Sequence, residues 1–195
     1  MKLFGTDGLR GHAGEFPLDP ASVRLIGEEL GRLAKKENRP AVVGGDTRES
    51  TPELLAELVA GIRASGGQVR CAGTITTPGV AELVLALGAS SGVSVSASHN
   101  PWEDNGIKIF GSDGKKWPDA WENELETALL ARRSDAPASS ARSAEPALEP
   151  DPRLAAAYLE RLEKRITSSL NNIYIVVDAG NGAAFRLAPA AFHPY

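Results

Sequence analysis

A single cysteine in 195 residues, Cys71, rules out an intramolecular disulfide and agrees with a reducing compartment. It sits in the short run Val69-Arg70-Cys71-Ala72-Gly73 with no His or acidic residue beside it, so it reads as a space-filling strand residue rather than a catalytic thiol. No uninterrupted apolar run approaches the ~18 residues a membrane-spanning helix requires. The opening Met1-Lys2-Leu3-Phe4-Gly5 carries no apolar signal segment either. Long runs of one charge sign are missing as well. The 21 Lys and Arg against 25 Asp and Glu leave a net charge of −4, which advertises no nucleic-acid face. The expectations are therefore a cytoplasmic globular protein with no membrane or nucleic-acid partner and a small ligand. Local basic residues would have to hold that ligand if it is anionic. No internal repeat is visible, and the length suffices for one complete domain and part of another.

What is present alternates in period. Asp19-Pro20 is an N-cap followed by proline at the first helical position, and Val23, Ile26, Leu30 and Leu33 then recur at helical spacing to about Lys36. Residues 41–45 form a short apolar strand that delivers Asp46-Thr47-Arg48 at its carboxyl end, where open α/β sheets place their sites. There Asp46 and Arg48 are expected to pin the loop rather than touch a ligand. Ser50-Thr51-Pro52-Glu53 predicts a capping box opening a helix along Leu54, Leu55, Leu58, Val59 and Ile62, stopped by Gly66-Gly67. Residues 68–73 predict a strand, and 74–78 the cap of a helix along Val80, Leu83, Val84 and Leu87. After the turn Gly111-Ser112-Asp113-Gly114, Pro118-Asp119 starts a helix to Arg133.

Residues 134–150 hold Ala, Ser, Pro and charge without periodicity, which reads as a linker. Asp151-Pro152 caps a helix along Leu154, Tyr158, Leu162 and Ile166. Residues 173–178 then read as a buried strand, and Gly180-Asn181-Gly182 as a turn into a last helix. The alternation predicts a layered α/β domain, helices covering a mixed sheet, over residues 1–133. The linker 134–150 and the start of a second similar domain over 151–195 would follow.

Two stretches carry chemistry. Phe4-Gly5-Thr6-Asp7-Gly8-Leu9-Arg10-Gly11 lets backbone N–H groups approach an anion and leaves Arg10 free to fork onto phosphate oxygens, although such glycine-rich openings are usually structural. Residues 94–110 hold a polar loop between apolar strand ends, with Val93 and Val95 before it and Ile107, Ile109 and Phe110 after it. Asn100-Pro101 and Asn105-Gly106 are ordinary turn dipeptides and explain half of it. Ser98, His99 and Lys108 go further, supplying a nucleophile, a proton carrier and an anion clamp.

The string Ser96-Ala97-Ser98-His99-Asn100-Pro101, followed by Asp104-Asn105-Gly106-Ile107-Lys108, resembles the active-serine loop of the phosphohexose mutase superfamily, most of all its bacterial phosphoglucosamine mutase branch. The opening Phe4–Gly11 matches the same family. Gly44-Gly45-Asp46-Thr47-Arg48 resembles its Gly-x-Asp-Thr-Arg motif, with Gly45 where a larger residue is common. Thr76-Thr77-Pro78 resembles its Pro-Thr-Pro turn with Thr76 replacing the first proline. Val177-Asp178-Ala179-Gly180-Asn181-Gly182-Ala183 resembles the opening of its second domain. The resemblance covers nearly the whole chain and is weakest over 134–150.

The resemblance implies an isomerase. Ser98 would carry a phosphate, donate it to a hexosamine phosphate, and recover a phosphate from the sugar bisphosphate that results. Mg²⁺, Arg10 and Lys108 would neutralise the phosphoryl oxygens, and His99 or Lys108 would carry the proton. Thr6, Asp7 and Asn100 would help bind substrate or phosphate. The partners implied are a hexosamine phosphate and a sugar bisphosphate activator; the oligomeric state is left open. The phosphate on Ser98 would be one Mg²⁺ ligand. The family's three aspartate ligands, in an Asp-Gly-Asp-x-Asp-Arg loop, and its later sugar-specificity and phosphate-gripping loops are not among the 195 residues. The resemblance thus implies the amino-terminal portion of a longer enzyme, inactive by itself. Within the family, phosphomannomutase or phosphoglucomutase activity is the alternative; outside it, a non-catalytic phosphosugar-binding fragment.

Overall fold

A computed structural model of the chain describes residues 2–6, 8–135, 148–168, 170 and 173–192. The elements are β1 (Leu9–His12), α1 (Pro20–Glu37), β2 (Ala41–Gly45), α2 (Thr51–Ala64), β3 (Val69–Thr74), α3 (Thr77–Leu87), β4 (Ser91–Val95), β5 (Asp104–Gly111), α4 (Asp119–Asp135), α5 (Pro152–Glu163) and α6 (Leu187–Phe192). The strands form one sheet in the order β1-β5-β4-β2-β3, parallel across β4, β2 and β3 and antiparallel across β4, β5 and β1. Helical crossovers link the parallel strands, while the short β4–β5 connection can only join antiparallel neighbours. This is the mixed, helix-covered α/β sheet that the alternation of periods predicts.

The two faces bury different helices. Val43, Val93, Val95, Ile107 and Ile109 point to α1, α2 and α4, whereas Val42 and Ala72 point to α3, α5 and α6. Helix α1 starts as expected, with Asp19 accepting from the Ser22 amide (3.1 Å), and ends on Asn38 in the left-handed conformation. Its contact with α2 is unusually close because glycines face each other. A Cβ on Gly27 would stand 2.3 Å from the Leu58 carbonyl oxygen, and one on Gly61 only 2.1 Å from that of Arg24.

The Gly5 amide donates to the Gly8 carbonyl (2.9 Å) just before edge strand β1. Two local expectations change. Ser50 makes no side-chain cap on α2; its hydroxyl instead accepts from the Asn105 side chain (2.9 Å). Residues 173–178 form no strand, and Ile173, Tyr174, Ile175, Val176 and Val177 are all exposed. An apolar run becomes a strand only when neighbours pair its backbone and cover its sides, and the described residues provide neither.

The chain beyond 148 returns to the first layer. Leu148 packs on the core shared by α1 and α2, and the Asp151 amide donates to the Cys71 carbonyl (2.8 Å), covering edge strand β3. The expected linker falls largely on residues 136–147, outside the described ones. Leu154 and Tyr158 of α5 are buried against α3, and Thr76 Oγ1, the α3 cap, donates to the Tyr158 hydroxyl (3.2 Å). Thr76 therefore has a docking role that proline could not fill.

Charge fastens the same helix. Arg153 and Arg70 hold the Asp151 carboxyl well below the usual carboxylate range. Burial pushes Glu82 up, but Arg161 and Arg165 outweigh it and lower the group overall. Depressed carboxylates contribute stability above their unfolded values, about pH 4, and lose it as pH falls through the lower folded ones. Acid titration followed by the NMR shifts of the Tyr158 ring should show α5 docking intact at pH 5 and fading below about pH 4. Docking signals unchanged down to pH 2 would contradict these ion pairs as the fastening.

Candidate active site

Parallel strands β2 and β4 end side by side, and the loops leaving their carboxyl ends meet. The last β4 pairing is the Ser96 amide on the Gly106 carbonyl (2.9 Å), after which Ala97 is fully buried and Ser98 turns out into solvent. Ser98 takes the left-handed conformation, φ 58°, one of two described non-glycine residues with positive φ. An L-residue pays roughly 1–2 kcal/mol for that conformation, so the surroundings must hold it there. The Asn100 amide closes the turn on the Ala97 carbonyl (3.2 Å), and the Ser98 amide donates to Ser96 Oγ (3.1 Å). Ser96 Oγ, the other hydroxyl at this end of β4, is thus engaged in shaping the turn, while Ser98 Oγ is presented with His99 Nδ1 at 3.3 Å.

Arg48 is the hub. Its guanidinium donates to the carbonyl oxygens of Ser98 (3.0 Å), Asn100 (2.9 Å), Pro101 (2.5 Å) and Asp104 (2.9 Å), and its Nε to Asp46 Oδ2 (3.1 Å). Asp46 is fixed in turn by Thr51 Oγ1 (2.9 Å) and the Arg48 amide (3.1 Å). From the far side, the fully buried Asn105 donates to Thr51 Oγ1 (3.1 Å) and accepts from the Gly106 amide (2.8 Å). The expectation that Asp46 and Arg48 pin a loop holds, and the loop they pin is the one carrying Ser98. Gly45 fits the same packing: a Cβ there would come within 2.5 Å of the Thr51 methyl carbon and 2.7 Å of the Val95 carbonyl oxygen.

The other candidate residues separate. Arg10, exposed on β1, donates to Asn100 Oδ1 (2.9 Å), and Asn100 donates to Asp104 Oδ2 (2.9 Å), so both join the Ser98 loop. β1 lies beside β5 there because Gly8, at φ 95°, lets the opening turn touch it; a Cβ would stand 2.3 Å from the Ile107 carbonyl oxygen. Thr6 is exposed in that turn, and Asp7 lies outside the described residues. Lys108 is in strand β5, not the loop: it is half-buried opposite Ser94, on the sheet face where Ser94 Oγ meets Thr77 Oγ1 at 3.0 Å.

Ser98, His99, Asn100 and Arg48 line an open cleft of about 740 Å³ whose opposite wall is Asn181, Gly182 and Ala183. Thr47 Oγ1 donates to the Asn181 carbonyl and ties that wall to the β2 loop. Trp102, 71% exposed, stands at the rim. Sequence reading missed this wall and the rim tryptophan, since only the fold brings 181–183 to residues 46–48. The arrangement offers a hydroxyl with an imidazole at hydrogen-bond range, and the exposed Arg10 guanidinium beside the same loop is open to an anionic substrate. Among the described residues, no three His, Cys, Asp or Glu side chains are grouped so as to hold a metal ion.

The chain is 42% identical to the phosphoglucosamine mutase of Koribacter versatilis, over 98% of this chain and 42% of that protein. It is 44% identical to the phosphoglucosamine mutase of Deinococcus radiodurans, over 98% and 43%. It therefore spans about two fifths of the length of these curated relatives. A crystal structure of a phosphoglucomutase/phosphomannomutase family protein from Burkholderia thailandensis superposes with a TM-score of 0.64 at 27% identity, over 85% of this chain and 36% of that one. Residues 1–135 match the model of the phosphoglucomutase/phosphomannomutase alpha/beta/alpha domain I, and the chain belongs to that family.

Proposed function

We propose that this chain supplies the phosphoserine centre of a phosphoglucosamine mutase, interconverting glucosamine 6-phosphate and glucosamine 1-phosphate. The observation that carries the reading is Ser98 held out in a left-handed turn with His99 Nδ1 3.3 Å from its Oγ and Arg10 on the adjoining Asn100. The phosphoryl group on Ser98 passes to the free hydroxyl of the bound hexosamine phosphate, giving a bisphosphate. After the sugar turns over, Ser98 Oγ takes the other phosphoryl group, and the monophosphate isomer leaves. Each transfer breaks one P–O bond and forms another, and the hydroxyl proton needs a carrier. His99, with Nδ1 3.3 Å from Ser98 Oγ, is assigned as that carrier. Arg10 supplies positive charge at the loop, and Lys108 adds to the field from β5. Thr6 and Asp7, in the opening turn beside β1, and Asn100 are assigned to phosphate or substrate binding.

Mg²⁺ is the cofactor of this reading, with the phosphate on Ser98 as one oxygen ligand. The described residues offer no carboxylate cage to complete its shell, so no step here runs through the metal. Residues 1–133 form the phosphoserine domain, 134–150 the linker and 151–195 the opening of a second domain whose first helix stays docked on α3. A sugar bisphosphate serves as activator and the cytoplasm as location. No described helix is long and apolar enough to cross a membrane.

The test is a chimera in which residues 1–195 replace the matching stretch of the Deinococcus radiodurans mutase. Supplied with glucosamine 6-phosphate, a bisphosphate and Mg²⁺, the chimera should make glucosamine 1-phosphate, while the 195-residue chain alone should make none above buffer. A chimera preferring mannose or glucose phosphate would overturn the sugar assignment in favour of phosphomannomutase or phosphoglucomutase. The other reading is a non-catalytic phosphosugar-binding module. Its mark would be micromolar calorimetric binding by the chain with a folded but inactive chimera.

A further inference from the structure

We infer that Arg48 is the positioning residue that sets the reactive geometry of Ser98, acting only through the loop backbone and never on the phosphate itself. The inference rests on the reading of Ser98 as the phosphoryl carrier. A guanidinium has five N–H donors in a fixed planar fork, and every one is used here. Nε takes Asp46 Oδ2, Nη1 takes the Pro101 and Asp104 carbonyls, and Nη2 takes those of Ser98 and Asn100. None is left to turn toward a phosphoryl oxygen. The side chain is also largely enclosed, 11% exposed against Asp46 at 12%.

The acceptors are distributed with a consequence. One belongs to Ser98 itself, two to Asn100 and Pro101 in the turn that follows, and one to Asp104 at the start of β5. A single rigid group therefore fixes the beginning, middle and end of the loop relative to one another. That is what an unfavourable φ of 58° at Ser98 requires if it is to persist. Lysine cannot replace it, because three donors radiating from one nitrogen cannot reach five acceptors spread around a plane. Arg10 differs in kind: it is exposed and bonds a side-chain oxygen, so it can swing to a ligand.

Two measurements on Arg48→Lys test this. In the 195-residue chain, the Ser98 Cα and Cβ chemical shifts should leave the left-handed range and average toward coil values, while the α1 and α2 amides keep their protection. In the chimera, kcat should fall at least 100-fold with KM within about threefold. Arg48→Gly should regain part of that loss with millimolar guanidinium, an outcome that general destabilisation would not produce. Unchanged Ser98 shifts in Arg48→Lys, or a kcat within threefold of the parent chimera, would overturn the inference. A parent chimera without turnover would instead count against the mutase reading, and the Ser98 shifts would still decide what Arg48 does to the loop.

Discussion

Ser98→Gly should abolish phosphoryl transfer in the chimera and leave the chain as stable as before, or more stable by up to about 1 kcal/mol. The two halves of this result have one cause. At φ 58° a serine is held where L-residues are strained and glycine is not. Glycine relieves that strain, and the gain is partly offset by the extra freedom it adds to the unfolded chain. The hydroxyl it removes makes no contact that carries the fold: Ser98 is exposed, and its Oγ meets only the neighbouring His99 ring among the described partners. A serine kept in a strained turn with nothing structural to show for it is what a presented nucleophile requires. Chemical denaturation and a coupled assay read the two effects separately. Residual turnover would move the nucleophile elsewhere, and a stability loss above about 1 kcal/mol would make Ser98 a structural residue.

The second large effect is on folding. Gly61→Ala lies inside α2, where helix propensity alone predicts a gain of about 1 kcal/mol. The α1–α2 contact predicts the reverse. The added methyl would stand 2.1 Å from the Arg24 carbonyl oxygen and 2.8 Å from the Glu28 amide nitrogen, both backbone atoms that no rotamer change can move aside. The helices must separate, and the core shared by Ile26, Leu30, Leu58 and Ile62 opens with them. A net loss of about 3 kcal/mol is expected, near the upper end for overpacking. It should appear as a lower denaturant midpoint at unchanged slope. A variant as stable as the parent would show that the two helices separate at no cost.

Most of the first layer is legible in the sequence because its signals are local. Asp19-Pro20, the strand at 41–45 and the periodic leucines of α2 and α3 each report their own element, and the elements appear where those residues place them. What was not legible depends on partners distant in the chain. Residues 173–178 have the composition of a buried strand, but burial is a property of neighbours, and here they are exposed. Ser50 has a capping residue's chemistry, yet its hydroxyl serves Asn105, which is 55 positions away. Gly27 and Gly61 look like helix-weakening residues until two backbones are seen to touch. In the site, Ser98 and His99 could be paired from adjacency, whereas Lys108 could not be placed, because strand β5 begins earlier than the loop's polarity suggested. Arg48 showed in sequence only as a loop-pinning residue; which loop it pins is decided by β2 and β4 ending together.

The central claim is that Ser98, and not Ser96, receives the phosphoryl group. The direct measurement is to incubate the chimera with a sugar bisphosphate, digest it, and locate phosphate by peptide mass spectrometry. Stoichiometric phosphate on Ser98 with Ser96 unmodified is predicted: both serines line the cleft, but Ser96 Oγ is half-buried and engaged by the Ser98 amide, while Ser98 is exposed with His99 Nδ1 3.3 Å from its Oγ. Phosphate on Ser96 with Ser98 bare, or an active chimera carrying phosphate on neither serine, would contradict it.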